Sequence, residues 1–123
     1  MSCIAIATDD GKTVRLGHFG DAEKYLLFKY DEEGNDFVKI GEVENTVKEE
    51  EEEHHHNDPR KARKILELLK PWDCKYFVST AMGPRSKRFL EENGIVPVFV
   101  RPYTSIDEAL EHVKQYIIKN REN

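Results

Sequence analysis

From Lys75 onward the sequence alternates between two periodicities, and this constrains the fold more than any other feature. Lys75 to Thr80 is a short, branched and aromatic run of strand length; Pro84 to Asn93 has helical character and is closed by Gly94. Val96 to Val100 is strand-like again, and Ile106 to about Ile118 places Ile106, Ala109, Leu110, Val113 and Ile117 on one helical stripe, opened by a capping box between Ser105 and Glu108. A strand, helix, strand, helix series joined by such short connections implies parallel strands with helices packed on the sheet.

The first half reads differently. Ser2 to Thr8 has Ile4 and Ile6 on one face and the small Ala5 and Ala7 on the other, as a central strand buried on both sides requires. Tyr25 to Tyr30 and Phe37 to Val43, joined by the turn "DEEGND", read as an antiparallel meander with that first strand. The segment from Thr46 to Asn57, "TVKEEEEEHHHN", carries like charges in succession with no apolar period and is expected to be a mobile loop. Asp58 then caps a helix that starts at Pro59, buries Ala62, Ile65, Leu66 and Leu69, and stops at Pro71. Right-handed crossovers place the fourth strand beside the first and give the sheet order 3-2-1-4-5. The expected fold is thus an α/β three-layer arrangement like the ribonuclease H fold, with the loops after Thr8 and Thr80 at one sheet edge, where ligand sites of open α/β sheets lie.

A chain of 123 residues is the size of one domain, and positions 1–123 are read as such. With 24 acidic against 19 basic residues and a net charge of -5, nucleic acid is a poor partner. The N-terminus has neither a basic region nor a long apolar stretch, so neither export nor membrane insertion is expected. Cys3 and Cys74 are too few for a disulfide scaffold and are not spaced as a zinc pair; both read as buried structural residues in a reducing cytoplasm. The 35% of charged residues also occurs in proteins from hot environments. A monomer is expected.

Two segments carry chemistry. In "LGHFGDA", His18 stands between glycines that permit close backbone approach, and an imidazole there can serve as a metal ligand or proton carrier; the plainer alternative is a loop histidine bonded to its own backbone while Phe19 plugs the core. In "TAMGPRSKRF", Gly83 caps a helix whose unpaired amides and dipole, with Arg85 and Lys87 nearby, suit an anion, and Met82 offers a soft thioether; the alternative is an ordinary strand-to-helix turn with Arg85 in solvent. His54, His55 and His56 resemble a metal tract, yet neighbours in an unstructured loop converge only at an ordering cost, so adventitious nickel or zinc binding is the expectation. His112 belongs at the rim of the last helix's stripe, and Trp72 reads as packing. Asp9 and Asp10 could hold magnesium in a nuclease, but two-metal chemistry needs further acids from other elements at the same edge; the fourth strand and its exit, "KYFVSTAMG", supply none, and the acid-rich loop is too irregular to count.

Taken together, "IAIATDDGKTV", "HFGDAEKY", "KARKILELL" and "STAMGPRSKRFLEENGIVPV" closely resemble the dinitrogenase iron-molybdenum cofactor biosynthesis family over nearly the whole chain. That family includes small stand-alone proteins, nitrogenase cofactor carriers and a relative that binds a molybdenum-copper sulfide cluster, on a ribonuclease H-like fold. Its "HFG" falls on His18, Phe19 and Gly20, and its "MGPR" on Met82, Gly83, Pro84 and Arg85. The resemblance implies that the two loops face each other and hold an anionic metal-sulfide cluster, with His18 as metal ligand and helix amides plus Arg85 opposite. Ala81 stands where the family commonly has glycine, and "HHHNDP" where it commonly has a histidine-glycine pair.

The function expected is that of a non-catalytic carrier of an iron-molybdenum-sulfur or related cluster, exchanging it with donor and acceptor proteins. The alternatives are a small regulatory or interaction module of the same fold that binds no cluster, and a hydrolase working through Asp9 and Asp10.

Overall fold

A computed structural model describes residues 3–47 and 59–122. The strands are β1 (Cys3–Thr8), β2 (Lys24–Asp31), β3 (Asp36–Glu44), β4 (Cys74–Ser79) and β5 (Val96–Phe99); the helices are α1 (Pro59–Leu69), α2 (Pro84–Glu92) and α3 (Ile106–Glu122). They form one mixed sheet in the order β3-β2-β1-β4-β5, antiparallel from β1 to β3 and parallel from β1 to β5. This is the expected order.

Every residue of β1 is buried because both faces of the sheet are covered. On one face Ala5, Ala7, Leu27 and Phe77 pack with Ile65 and Leu69 of α1 and Leu90 of α2. On the other, Ile4, Ile6, Leu26, Phe28 and Val78 pack against the stripe of α3, from Ile106 through Ala109, Leu110 and Val113 to Ile117. Each fully buried aliphatic or aromatic side chain contributes about 1.5–3 kcal/mol, which explains why the alternation of small and branched residues in β1 determines its central place.

Local signals set the helix ends. Ser105 Oγ accepts from the Glu108 amide at 3.1 Å, and the Glu108 carboxylate accepts from the Ser105 amide at 3.3 Å, so the capping box forms as read. α2 ends in a Schellman turn: Gly94 adopts φ +83° and its amide donates to Glu91, while the Ile95 amide donates to Leu90. Trp72 packs, as expected, in a short 3₁₀ turn over Gly41, where a Cβ atom would lie 2.8 Å from the indole.

Some boundaries differ. β4 begins one residue before the expected Lys75, at Cys74, since the chain leaves the turn at Asp73 in a left-handed conformation and pairs at once. α3 runs on to Glu122 rather than stopping near Ile118. The mobile loop expected from Thr46 lies mostly outside the described residues, as do Asp58 and His54 to His56. Its described beginning is tied down: Val47 is buried and its amide donates to Asn45 Oδ1 at 3.1 Å.

The cysteines differ in a more consequential way. Both are buried, as expected, but they also face each other at the first register position of β1 and β4 and are joined in a disulfide. Two cysteines make no scaffold, yet neighbouring strands in this register make one cross-link. Among the described residues no helix is long and apolar enough to cross a membrane.

Candidate functional site

The parallel strands β1, β4 and β5 all end at the same sheet edge. The loop after β1 divides there into two parts with opposite uses of their polar groups. In the first, Asp10 accepts from the amides of Lys12 and Thr13 at 2.8 and 2.9 Å and from the Thr13 hydroxyl at 3.0 Å. Those amides hold its carboxyl far below the usual aspartate range. Asp9 pairs with Arg15 at 2.7 Å and accepts from the Glu23 amide at 2.9 Å. Both acids are thus engaged in building the loop, and the strand beside them adds no carboxylate: β4 reads Cys-Lys-Tyr-Phe-Val-Ser. This arrangement does not favour the magnesium hydrolase.

The second part, from Gly17 to Ala22, is held from outside. The Gly17 amide donates to Thr80 Oγ1 at 2.7 Å, the Thr80 hydroxyl donates to Arg15 O at 3.0 Å, and the Phe19 amide donates to Ala81 O at 3.1 Å. His18 and Ala81 thereby form a one-residue parallel bridge that joins the loop after β1 to the loop after β4. The two segments singled out in the sequence do face each other.

Phe19 anchors the turn. It is buried and stacks between Tyr25 and Phe77, each 4.7 Å away by ring centroids. The Tyr25 hydroxyl donates to Phe19 O at 2.8 Å, and burial pushes this phenol well above its ordinary pKa, so it remains a donor. Asn45 Nδ2 donates to Gly20 O and Ala22 O, both at 2.9 Å. A 3₁₀ turn over Phe19–Asp21 results, with His18 at its N-cap.

Across from it, Gly83 is the N-cap of α2 and brings no side chain to cap the helix; Pro84 follows at the first position. Pro84 has no amide hydrogen, so the first N–H groups the helix offers are those of Arg85 and Ser86. Between the two loops and α1 lies a cavity of about 40 Å³ lined by His18, Phe19, Gly20 and Asp21, by Lys61, Ala62 and Ile65 of α1, and by Met82, Gly83, Ser86 and Leu90. It has room for a few water molecules, at roughly 10–15 Å³ each.

Of the expected site residues, His18, Phe19, Gly20, Met82 and Gly83 meet at this cavity. Pro84 and Arg85 sit exposed on the first turn of α2 and are not part of its wall. His112 is exposed on α3, where its ring contacts that of Tyr116, and it lines a different cavity, with Phe99, Arg101 and Thr104. Sequence reasoning missed Lys61, Asp21, Ser86 and the clamp made by Asn45 and Tyr25. Lys61 precedes the inward-facing Ala62, a place from which a long side chain can reach around a helix into the cavity. It forms an ion pair with Asp21. Burial raises the Asp21 pKa, but Lys61, Arg15 and His18 together outweigh it, and the carboxyl stays below its ordinary value. Among the described residues, no three histidine, cysteine or acidic side chains converge as a metal-ion site.

Solved structures share this fold. A Thermotoga protein provisionally assigned as a NifB protein superposes with a TM-score of 0.59 at 19% identity, over 94% of this chain and 89% of its own. The apo form of the orange protein from Desulfovibrio gigas gives 0.61 at 15% identity, over 97% and 89%. No curated protein matches the sequence. The sequence profile of the dinitrogenase iron-molybdenum cofactor family matches residues 1–116, and the chain belongs to that family.

Proposed function

We propose that this protein is a non-catalytic carrier of an anionic metal-sulfide cluster of the iron-molybdenum type, in metallocofactor assembly. The observation that carries the reading is the single cavity on which the His18 turn and the N-terminus of α2 converge. With the Asp21 carboxylate engaged by Lys61, one imidazole and one thioether remain, too few ligands for a bare ion, which takes four or more. They suit a preassembled cluster, whose metals are already held by sulfide and need only one added ligand and a cradle for negative charge. The walls contributed by Phe19, Ala62, Ile65, Met82 and Leu90 are apolar, which favours a soft, poorly hydrated sulfide face over a hydrated oxyanion. His18 is the metal ligand and Gly83 with the first amides of α2 the anion cradle. Phe19 and Gly20 shape the wall, and Met82 supplies the soft contact. Arg85, exposed on the first turn, supplies long-range positive charge, and Pro84 fixes the cap. His54 to His56 are secondary metal contacts at most.

The unit is residues 1–123 as a single ribonuclease H-like domain, working as a monomer in the cytoplasm and exchanging its cluster with donor and acceptor proteins, without nucleic acid or membrane. The Cys3–Cys74 disulfide fits a cytoplasmic protein of a hot environment, where intracellular disulfides persist. Nothing in the geometry favours the cluster-free module.

The test is an anaerobic titration with iron-sulfide, tetrathiomolybdate and isolated iron-molybdenum cofactor, followed by gel filtration and metal analysis, with His18→Ala alongside. Stoichiometric retention by the wild type, reduced about tenfold or more in the variant, is the expected result. Retention of no cluster would overturn the carrier and leave the interaction module.

A further inference from the structure

The cavity has a feature that a passive cradle for an anion does not need, a carboxylate in its wall. Asp21 lines it beside His18, and the one described ion pair that Asp21 makes is with Lys61. The Lys61 stem crosses the top of the 3₁₀ turn, where a Cβ atom on Gly20 would stand 3.3 Å from Lys61 Cε, so the glycine leaves the path that the lysine follows. The Lys61 and Asp21 side chains are only 22% and 28% exposed, and so the pair is partly shielded from water. The cavity that remains is about 40 Å³, too small for more than a corner of a multinuclear cluster.

Resting on the carrier reading, we propose that Lys61 is the cation that recognises the ligand and that Asp21 is its resting counter-ion. An incoming anion takes the ammonium from Asp21, and the same movement of the lysine stem off Gly20 opens the cavity. The empty site is neutral and closed; the loaded site places Lys61 between ligand and carboxylate. Ligands of higher negative charge compete best for the ammonium, so the site selects polyanionic sulfide clusters over neutral or monoanionic species. Asp21 sets the threshold, because every bound anion must outbid it.

A structural ion pair and an exchanging one differ in sign. If the pair merely holds the turn to α1, removing either partner loosens the site and both changes weaken binding. If it exchanges, Lys61→Met weakens binding and Asp21→Asn strengthens it. The experiment is an anaerobic titration with tetrathiomolybdate, a sulfide-faced dianion, followed by its visible absorption, on the wild type, Lys61→Met, Lys61→Arg and Asp21→Asn, with a thermal melt of each. The expected result is an affinity about tenfold lower for Lys61→Met, within about threefold of wild type for Lys61→Arg, and severalfold higher for Asp21→Asn. Wild-type binding with both neutralised variants weakened, or with Lys61→Met unchanged, would overturn the exchange while leaving the carrier standing. A wild type that binds neither tetrathiomolybdate nor any cluster would overturn both.

Discussion

The two ends of the β1/β4 pair are held together by different means. At the end where the strands begin, Cys3 and Cys74 are covalently joined and both are buried. At the end where they finish, the connection is a set of hydrogen bonds: Gly17 and Thr80, Thr80 and Arg15, Phe19 and Ala81. The covalent end has nothing to adjust. It is at the hydrogen-bonded end that the cavity lies. The cross-link and the candidate site thus lie at opposite ends of the same strands.

The largest effect that separates the two ends is expected from Cys3→Ala. A cross-link between residues separated by 71 positions restricts the unfolded chain by roughly 4 kcal/mol in the chain-entropy description. The variant should lose stability of that order in denaturant melts while binding tetrathiomolybdate as the wild type does; an equal loss of affinity would show the ends to be coupled. Asn45→Ala is the reverse case. It leaves Gly20 O and Ala22 O without their donor in a buried place, a cost of about 1–3 kcal/mol, and should weaken ligand retention out of proportion to its effect on the melt.

The smallest effect is expected in acid. The Asp10 carboxyl is depressed in the folded protein by the Thr13 and Lys12 amides, so its contribution to stability is complete above the ordinary aspartate range and is lost as pH falls through the lower folded-state value. Asp10→Asn should flatten the acid limb of a stability-versus-pH curve. It should leave ligand binding at neutral pH unchanged, since Asp10 bonds within its own turn and lines a different cavity from that of His18. A change in binding would bring the Asp9–Asp10 turn back into the site.

Much of this was legible in the sequence because periodicity and short loops leave few choices. Ile4 and Ile6 opposite Ala5 and Ala7 place β1 at the centre, and the strand-helix alternation after Lys75 fixes the parallel half. The meeting of the His18 and Gly83 loops follows once β1 and β4 are neighbours, because both loops then leave the same edge. The disulfide was not legible, since it depends on a local break in register: Ile4 pairs with Tyr76, which would set Lys75 opposite Cys3, and a shift of one residue between Cys3 and Ile4 brings Cys74 there instead. Lys61 was not legible either. Its helix could be read, but a lysine beside an apolar stripe is usually solvated, and only the path over Gly20 turns it inward. Asn45 was hidden at a strand end, where its amide meets carbonyls from a turn some 25 residues earlier. The remainder of the charged segment before α1 lies outside the described residues.

The central claim is a location, and amide-resolved NMR tests it most directly. ¹⁵N-labelled protein titrated anaerobically with tetrathiomolybdate should show its largest shifts at the amides of His18, Gly20, Gly83 and Ser86 and at the His18 ring, with Cys3, Asp10 and the α3 amides still. Shifts centred on the Asp9–Asp10 turn or on α3, or no shifts at all, would contradict it.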